Sequence, residues 1–486
     1  MEGQEPTHEW LNLPALLNRQ RAASAANPRP SAAERRARLS RLETMLRANQ
    51  AAFAQAISDD YGNRAIPETI LAEVASTLAA SAHARRHLAR WMRPERRSVA
   101  MTSRPARNTV EYTPIGVVGV VAPWNFPVFL TLGPLVEILA AGNRCMIKPS
   151  ELTPRTTALL GRLLGETFPS EEVAVVQGDA EVARAFCALP FDHLLFTGST
   201  GVGRQVMRAA ADHLVPVTLE LGGKSPVIVA ADYDLTKAAN SIALGKFFNA
   251  GQVCVSPDYA LVPKGEAVSF ARAVLAAAER MFPTLDNNPD YTTIISDRHD
   301  ARLHALLVEA EAAGARVLRH GAQPGGNQPG GSNMRRFAPT VVLDPPADCR
   351  LMQEEIFGPI LPVIGVESLD EAIARVNTRP RPLALYIYSN DSSTQRRIMD
   401  NTLSGGVTIN GTMLHVNQVD LPFGGIGPSG MGAYHGREGF LRFSHARGVH
   451  KPGFISGFDI LKPPYGRRTR LILRALTGFG WPKHLR

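Results

Sequence analysis

From Thr113 onward, short β-branched runs alternate with helical stretches, and no other feature restricts the fold of this 486-residue chain as much. Ile115–Val121 reads as a strand, Leu132–Ala141 as a helix, Arg144–Lys148 as a strand and Thr156–Thr167 as a helix. Val173–Gln177 and His193–Phe196 follow as strands, then Gly203–Asp212 as a helix. Such alternation predicts parallel β-α-β units in a doubly wound α/β sheet. A second αβ series begins after Lys224, with strands at Pro226–Val229 and Tyr259–Val262 and helices at Leu235–Phe248 and Ala267–Met281. Ahead of both series, Leu39, Leu42, Met45, Leu46, Phe53 and Ile57 recur at helical spacing over Ser31–Asp60, and a second helical stretch runs from Pro67 to Trp91. Pro324–Asn333 is rich in Gly, Pro and Asn and reads as a surface loop. At this length one core does not suffice, so two or more domains are expected.

Val117–Gly142 is almost free of charge, yet Pro123, Pro127 and Pro134 would break a membrane-spanning helix. It reads as a buried strand, a loop and a helix. Four cysteines without regular spacing make neither a disulfide framework nor a zinc site, so no metal is expected. With no visible signal peptide, the reading is a reducing, cytoplasmic protein. The net charge of +9 is concentrated at the C-terminus. Lys451, Lys462, Arg467, Arg468, Arg470, Arg474, Lys483 and Arg486 stand against Asp459 alone, which accounts for +7. A solvated tail is the bland reading. Leu471, Ile472, Leu473 and Leu476 between the arginines suggest a weak peripheral contact with anionic lipid. Nucleic-acid binding is not expected, because no recognition module accompanies the charge.

Phe247-Phe248-Asn249-Ala250-Gly251-Gln252-Val253-Cys254 places a cysteine at the end of a Gly/Gln turn. Glu220-Leu221-Gly222-Gly223-Lys224 places a carboxylate in its own Gly-rich turn upstream. A nucleophile and a base of this kind are what covalent thioester chemistry needs. Val215–Leu221 is otherwise strand-like and apolar, so Glu220 should be buried with a raised pKa, suited to a base near neutral pH. Phe196-Thr197-Gly198-Ser199-Thr200-Gly201-Val202-Gly203 follows a strand and opens a helix, whose N-terminus favours a phosphate. It departs from the G-x-G-x-x-G spacing, so by pattern alone it could equally be an ordinary connection. Cys145, inside an apolar strand, and Cys187, near a helix end, read as structural.

Together these segments resemble the aldehyde dehydrogenase superfamily over nearly the whole chain. Leu421–Gly432 with Tyr434-His435-Gly436 is similar to the class 3 branch, and within it to bacterial coniferyl aldehyde dehydrogenases. The resemblance implies NAD(P)-dependent oxidation of an aldehyde, of the coniferaldehyde type, to its acid. Cys254 would be the nucleophile, Glu220 the base for hydrolysis, and Asn125 of Pro123-Trp124-Asn125-Phe126-Pro127 the oxyanion donor. Without the family, Asn125 is simply a turn residue. Trp124, Lys148, Ser150, Glu151, Gly198, Ser199, Gly203, Glu355 and Phe357 would contact the cofactor. Glu151 would repel a 2′-phosphate, favouring NAD, while Lys148 leaves NADP open. Glu354 reads as a solvated charge, and the mechanism needs neither His435 nor His445. Phe126, Phe247, Phe248 and Tyr259 could line an aromatic pocket or belong to the core.

The resemblance also implies three parts and a homodimer. Residues 1–222 would bind NAD, interrupted by an arm segment at 98–114, and 223–435 would form the catalytic domain. Residues 436–452 would complete a small β oligomerisation arm, and 453–486 the basic tail. Three alternatives stay open: a long-chain fatty aldehyde substrate, acyl transfer to coenzyme A, and a non-catalytic scaffold with the same fold. Glu220 weighs against acyl transfer, because relatives that hand the acyl group to coenzyme A generally lack it. An intact Cys254, Glu220 and Asn125 set weighs against a scaffold.

Overall fold

The computed structural model describes residues 12–321, 335–454 and 461–478. Its strands, in chain order, are β1 Glu95–Arg97, β2 Arg107–Pro114, β3 Val117–Val121, β4 Arg144–Lys148, β5 Val173–Val175, β6 His193–Gly198 and β7 Val217–Leu221. The second half adds β8 Pro226–Val229, β9 Tyr259–Pro263, β10 Arg316–Arg319, β11 Thr340–Leu343, β12 Ile360–Val366, β13 Ala384–Tyr388 and β14 Gly406–Ile409. Two late strands, β15 Gly430–Met431 and β16 Ser444–Lys451, return to earlier sheets.

The first αβ series forms a six-stranded sheet in the order β15-β7-β6-β3-β4-β5, parallel except for β15. The chain runs outward from β3 in both directions, so the order reverses between β3 and β6. In open α/β sheets, ligands bind at such a switch point, beyond the carboxyl ends of the strands. β3 and β4 are buried along their whole length, as expected of near-continuous apolar runs covered by helices on both faces. The second series forms a seven-stranded sheet, β10-β11-β12-β9-β8-β13-β14, parallel except for the β10 edge. β1, β2 and β16 make a separate antiparallel sheet, with β16 paired to β2 over eight residues from Ser444 to Lys451.

Most elements lie where periodicity places them, with shifted ends. Arg144–Lys148, Pro226–Val229 and Ala267–Met281 agree with the reading, while the helix expected from Gly203 starts at Thr200. Ser199 explains that earlier start, because its hydroxyl accepts from the Val202 N–H and caps the helix Thr200–Ala211. The stretch Ser31–Asp60 is two helices, Ala32–Ala48 and Gln50–Tyr61, and Ser31 with Glu34 closes a capping box on the first. Ile66–Trp91 is helical but widened by a π turn at Ile70–Ala75, which periodicity does not reveal. The loop expected at Pro324–Asn333 lies outside the described residues. Of the basic tail, Arg467–Thr477 is a helix with Thr469 buried and Leu471 and Leu476 exposed. Asp459, Lys483 and Arg486 lie outside the described residues. Among the described residues, no helix is long and apolar enough to cross a membrane.

Candidate active site

Three chain segments meet at the switch point. The first leaves β3 and carries Pro123-Trp124-Asn125, the second leaves β6 at Gly198-Ser199, and the third leaves β7 at Glu220-Leu221-Gly222. All three border one cavity of 240 Å³, and the Cys254 turn closes it from the second sheet. That cavity therefore brings together Cys254, Glu220 and Asn125, along with Trp124, Gly198, Ser199, Glu355 and Phe357.

The cysteine turn is held in an uncommon shape. Asn249 and Ala250 both take left-handed backbone angles, φ 49° and 50°, which non-glycine residues seldom adopt. Gly251 continues at φ 73°, and a Cβ there would run into the Gly358 carbonyl. Hydrogen bonds hold the turn in this shape. The Asn249 N–H donates to Glu68 (3.1 Å), and Gln252 Nε2 donates to the Asn249 and Thr293 carbonyls (3.0 and 3.1 Å). Asn125 Nδ2 donates to the Gln252 carbonyl (3.2 Å), which ties the first segment to this turn.

Electrostatically the cavity favours neutral groups. Burial pushes the Cys254 thiol up to about 12, and the nearby Glu355 and Glu220 carboxyls add to the shift. Burial also raises Glu220 well above the usual carboxylate range, against a small opposing pull from Arg442. The expectation of a buried Glu220 with an elevated pKa is met. Glu355 is raised to about 8 by burial and by Asp258, and its side chain occupies the space a Cβ on Gly222 would take. Lys224 pairs with Asp258 and donates to the Leu351 and Glu354 carbonyls (2.8 Å each), anchoring the segment that presents Glu355.

Several residues fit a dinucleotide. The capped N-terminus of Thr200–Ala211 opens beside the cavity, and around Gly201 no atom stands within 4 Å of where a Cβ would be. Gly203 lets that helix pack closely on β7, since a Cβ would clash with Leu221. Thr197 Oγ1 and both Glu220 oxygens are buried and have no hydrogen-bond partner among the described residues, so this wall is polar and unsatisfied. Lys148, the last residue of β4, and Ser150 and Glu151 just beyond it stand apart from the cavity. There Lys148 Nζ pairs with Glu151 (3.2 Å) and Ser150 Oγ accepts from the Leu152 N–H.

Sequence reasoning missed other wall residues. Thr197, Phe423 and Tyr434 line the cavity from segments already singled out, whereas Leu130, His299, Arg302 and Leu383 carried no motif signal. Tyr434 Oη is buried beside Glu220 and Cys254 and has no hydrogen-bond partner among the described residues. Of the aromatics considered for a substrate pocket, Phe247 and Tyr259 are core, and Phe126 and Phe248 stack on one another outside the cavity wall. The aromatic wall is instead Trp124, Phe357, Phe423 and Tyr434, with the Trp124 and Phe357 rings edge-to-face at 5.3 Å. Glu354 is exposed and paired with Arg350 (2.9 Å). His435 is buried, lowered to about 4 by burial, and stacks on Phe423 at 5.2 Å, while His445 is exposed on β16. Cys145 and Cys187 are buried in β4 and at the end of the helix Ala180–Cys187.

A cysteine, a buried carboxyl and an amide thus meet at the switch point of a doubly wound sheet, the place where such folds bind nucleotides. Residues 15–449 match the aldehyde dehydrogenase family, and the chain belongs to that family. It is 48% identical over 473 residues to a probable coniferyl aldehyde dehydrogenase of Pseudomonas aeruginosa, covering 97% of this chain and 98% of that protein. It is 44% identical over 465 residues to the coniferyl aldehyde dehydrogenase of a Pseudomonas species, strain HR199, covering 96% of each. The solved substrate-bound state of Staphylococcus aureus AldH superposes with a TM-score of 0.89 at 34% identity, over 96% of this chain and 99% of that one.

Proposed function

We propose that this chain oxidises an aromatic aldehyde of the coniferaldehyde type to its carboxylic acid, with NAD as the preferred cofactor. The observation that carries the reading is the convergence of Cys254, Glu220 and Asn125 on one cavity. The names of the two Pseudomonas relatives, and the aromatic wall of Trp124, Phe357, Phe423 and Tyr434, support the substrate class.

In this reading the Cys254 thiol first gives up its proton to solvent, its thiolate adds to the aldehyde carbon, and the resulting oxyanion accepts hydrogen bonds from Asn125 Nδ2 and the Cys254 backbone N–H. The nicotinamide, when bound, supplies the acceptor for the hydride that leaves this carbon. The product on the protein is a Cys254 thioester. A water then attacks the thioester carbonyl while the Glu220 carboxylate takes its proton, and the Cys254 thiolate leaves as the acid forms. Glu355 and Phe357 would hold the nicotinamide end of the cofactor, and Gly198 and Ser199 its phosphates. Lys148, Ser150 and Glu151 would hold the adenosine ribose. Trp124 contributes to the cofactor-facing wall.

The three-part division is proposed with the boundaries 1–222, 223–435 and 436–452, with an arm segment at 98–114 and a tail at 453–486. Among the described residues β16 is an edge strand with one side unpaired, a template for strand addition, which supports a homodimer through the arm. The exposed arginines and leucines of Arg467–Thr477 support a weak contact with anionic lipid, and free cysteines support a cytoplasmic setting.

The test is pre-steady-state kinetics with coniferaldehyde, benzaldehyde and a long-chain aldehyde. Coniferaldehyde should give the highest kcat/KM and acid without added coenzyme A. An absolute requirement for coenzyme A would contradict the hydrolytic reading, and preference for the long-chain aldehyde would contradict the aromatic one.

A further inference from the structure

Beneath the Asn125 segment lies an ion pair that neither the cavity nor the proposed chemistry uses. Arg64 Nη1 and Glu73 Oε1 are 2.8 Å apart, and both side chains have 0% exposure. Taking two charges out of water is expensive, and apolar replacements for such pairs are often neutral or stabilising, so stability alone does not account for this one. Its remaining contacts are directional. Arg64 Nη1 donates to the Asn125 carbonyl (2.9 Å), and Glu73 Oε2 accepts the N–H groups of Val128 (2.6 Å) and Phe129 (3.1 Å). One ion pair thus grips both ends of the segment 125–129.

Two neighbours complete the grip. The Asn125 carbonyl also accepts from Tyr61 Oη and Asn249 Nδ2, both at 3.2 Å. The Val128 and Phe129 N–H groups belong to the start of the helix Phe129–Ala141, where donors have no helical partner and a carboxylate suits the dipole. Glu73 sits in the π turn Ile70–Ala75, and the Thr77 hydroxyl takes up the Glu73 carbonyl (2.6 Å). Such one-residue widenings are frequent at functional sites.

We propose that Arg64 and Glu73 are positioning residues that hold the Asn125 side chain at the place where the oxyanion forms. This rests on the reading of Asn125 as the oxyanion donor. Misplacing a catalytic group by about 1 Å costs on the order of 100-fold in rate.

The experiment is a double-mutant cycle on the full-length holoenzyme. It compares wild type, Glu73→Gln, Asn125→Ala and the double variant, and measures kcat, aldehyde KM and NAD affinity. Glu73→Gln should lower kcat roughly 10- to 100-fold with NAD affinity unchanged, yet less than about 2-fold in the Asn125→Ala background. As a check on folding, the apolar pair Arg64→Met with Glu73→Leu should keep native melting and lose kcat to the same extent. An undiminished Glu73→Gln effect in the Asn125→Ala background, or full kcat in the apolar pair, overturns the proposal and leaves the oxyanion reading standing. Full kcat for Asn125→Ala alone overturns that reading, and the proposal with it.

Discussion

Gly430 lies opposite Glu220 in the antiparallel pairing of β15 with β7. The Leu221 N–H donates to the Ser429 carbonyl (3.1 Å), so the Gly-rich C-terminal turn returns across the whole chain to brace the strand presenting this carboxyl. Gly430 has φ 152°, a conformation side chains rarely adopt, and a Cβ there would strike the Leu219 carbonyl. Gly430→Ala should therefore destabilise the fold by about 1–3 kcal/mol. Acid release should slow more than the first turnover, and a stopped-flow burst followed by a slower steady state checks this. Unchanged melting and kcat would show that the bridge is not needed.

The Cys254 thiol should be a poor nucleophile before ligands bind, because burial and the Glu355 and Glu220 carboxyls raise it to about 12. Only the thiolate reacts with iodoacetamide, so the alkylation rate of the cofactor-free protein should keep climbing through pH 10 without levelling off. A plateau near pH 7, followed by peptide mapping to Cys254, would contradict the electrostatic reading.

Lys246 is fully buried, its ammonium has no hydrogen-bond partner among the described residues, and burial lowers it to about 8. Its folded pKa lies below the ordinary lysine value. Stability is therefore penalised in full below pH 8 and recovers as pH rises toward 10.5, where the unfolded chain also loses the proton. Lys246→Met should raise the melting temperature at pH 7, by roughly 1–3 kcal/mol of stability, with a smaller gain at pH 9.5. A gain that is absent at pH 7, or that grows with pH, would contradict this.

Glu151 pairs with Lys148 Nζ at 3.2 Å, past the end of β4. Glu151→Ala should remove repulsion toward a 2′-phosphate and free the Lys148 ammonium to meet it. The ratio of kcat/KM for NAD over NADP should fall by about 5- to 10-fold, corresponding to roughly 1 kcal/mol for an exposed charge. An unchanged ratio would place cofactor discrimination elsewhere.

Much of this was legible in the chain itself. Arg144–Lys148 and Pro226–Val229 sit where β-branched patterning puts them, because central parallel strands are uniformly apolar. The Cys254 and Glu220 turns were readable through their glycines. Less legible was whatever depends on distant packing. Tyr434 faces Glu220 only because β15 folds back onto β7, and Arg302 reaches the cavity only because its guanidinium donates to the Glu355 carbonyl (3.2 Å). The choice between pocket and core for the aromatics near the cysteine also depends on packing. Phe247 and Phe248 adjoin the cysteine in sequence, but helical rotation turns Phe247 into the core and Phe248 toward Phe126. The Arg64–Glu73 pair gave no sequence signal, since the π turn that carries Glu73 leaves the apolar periodicity nearly intact.

The most direct measurement is rapid-quench mass spectrometry of the Glu220→Gln variant mixed with NAD and coniferaldehyde. With hydrolysis slowed, the expected result is an acyl group on the peptide containing Cys254, appearing at the rate of the NADH burst. An adduct on another residue, or NADH formed at full steady-state rate with no adduct, would contradict a thioester on Cys254 cleared by Glu220.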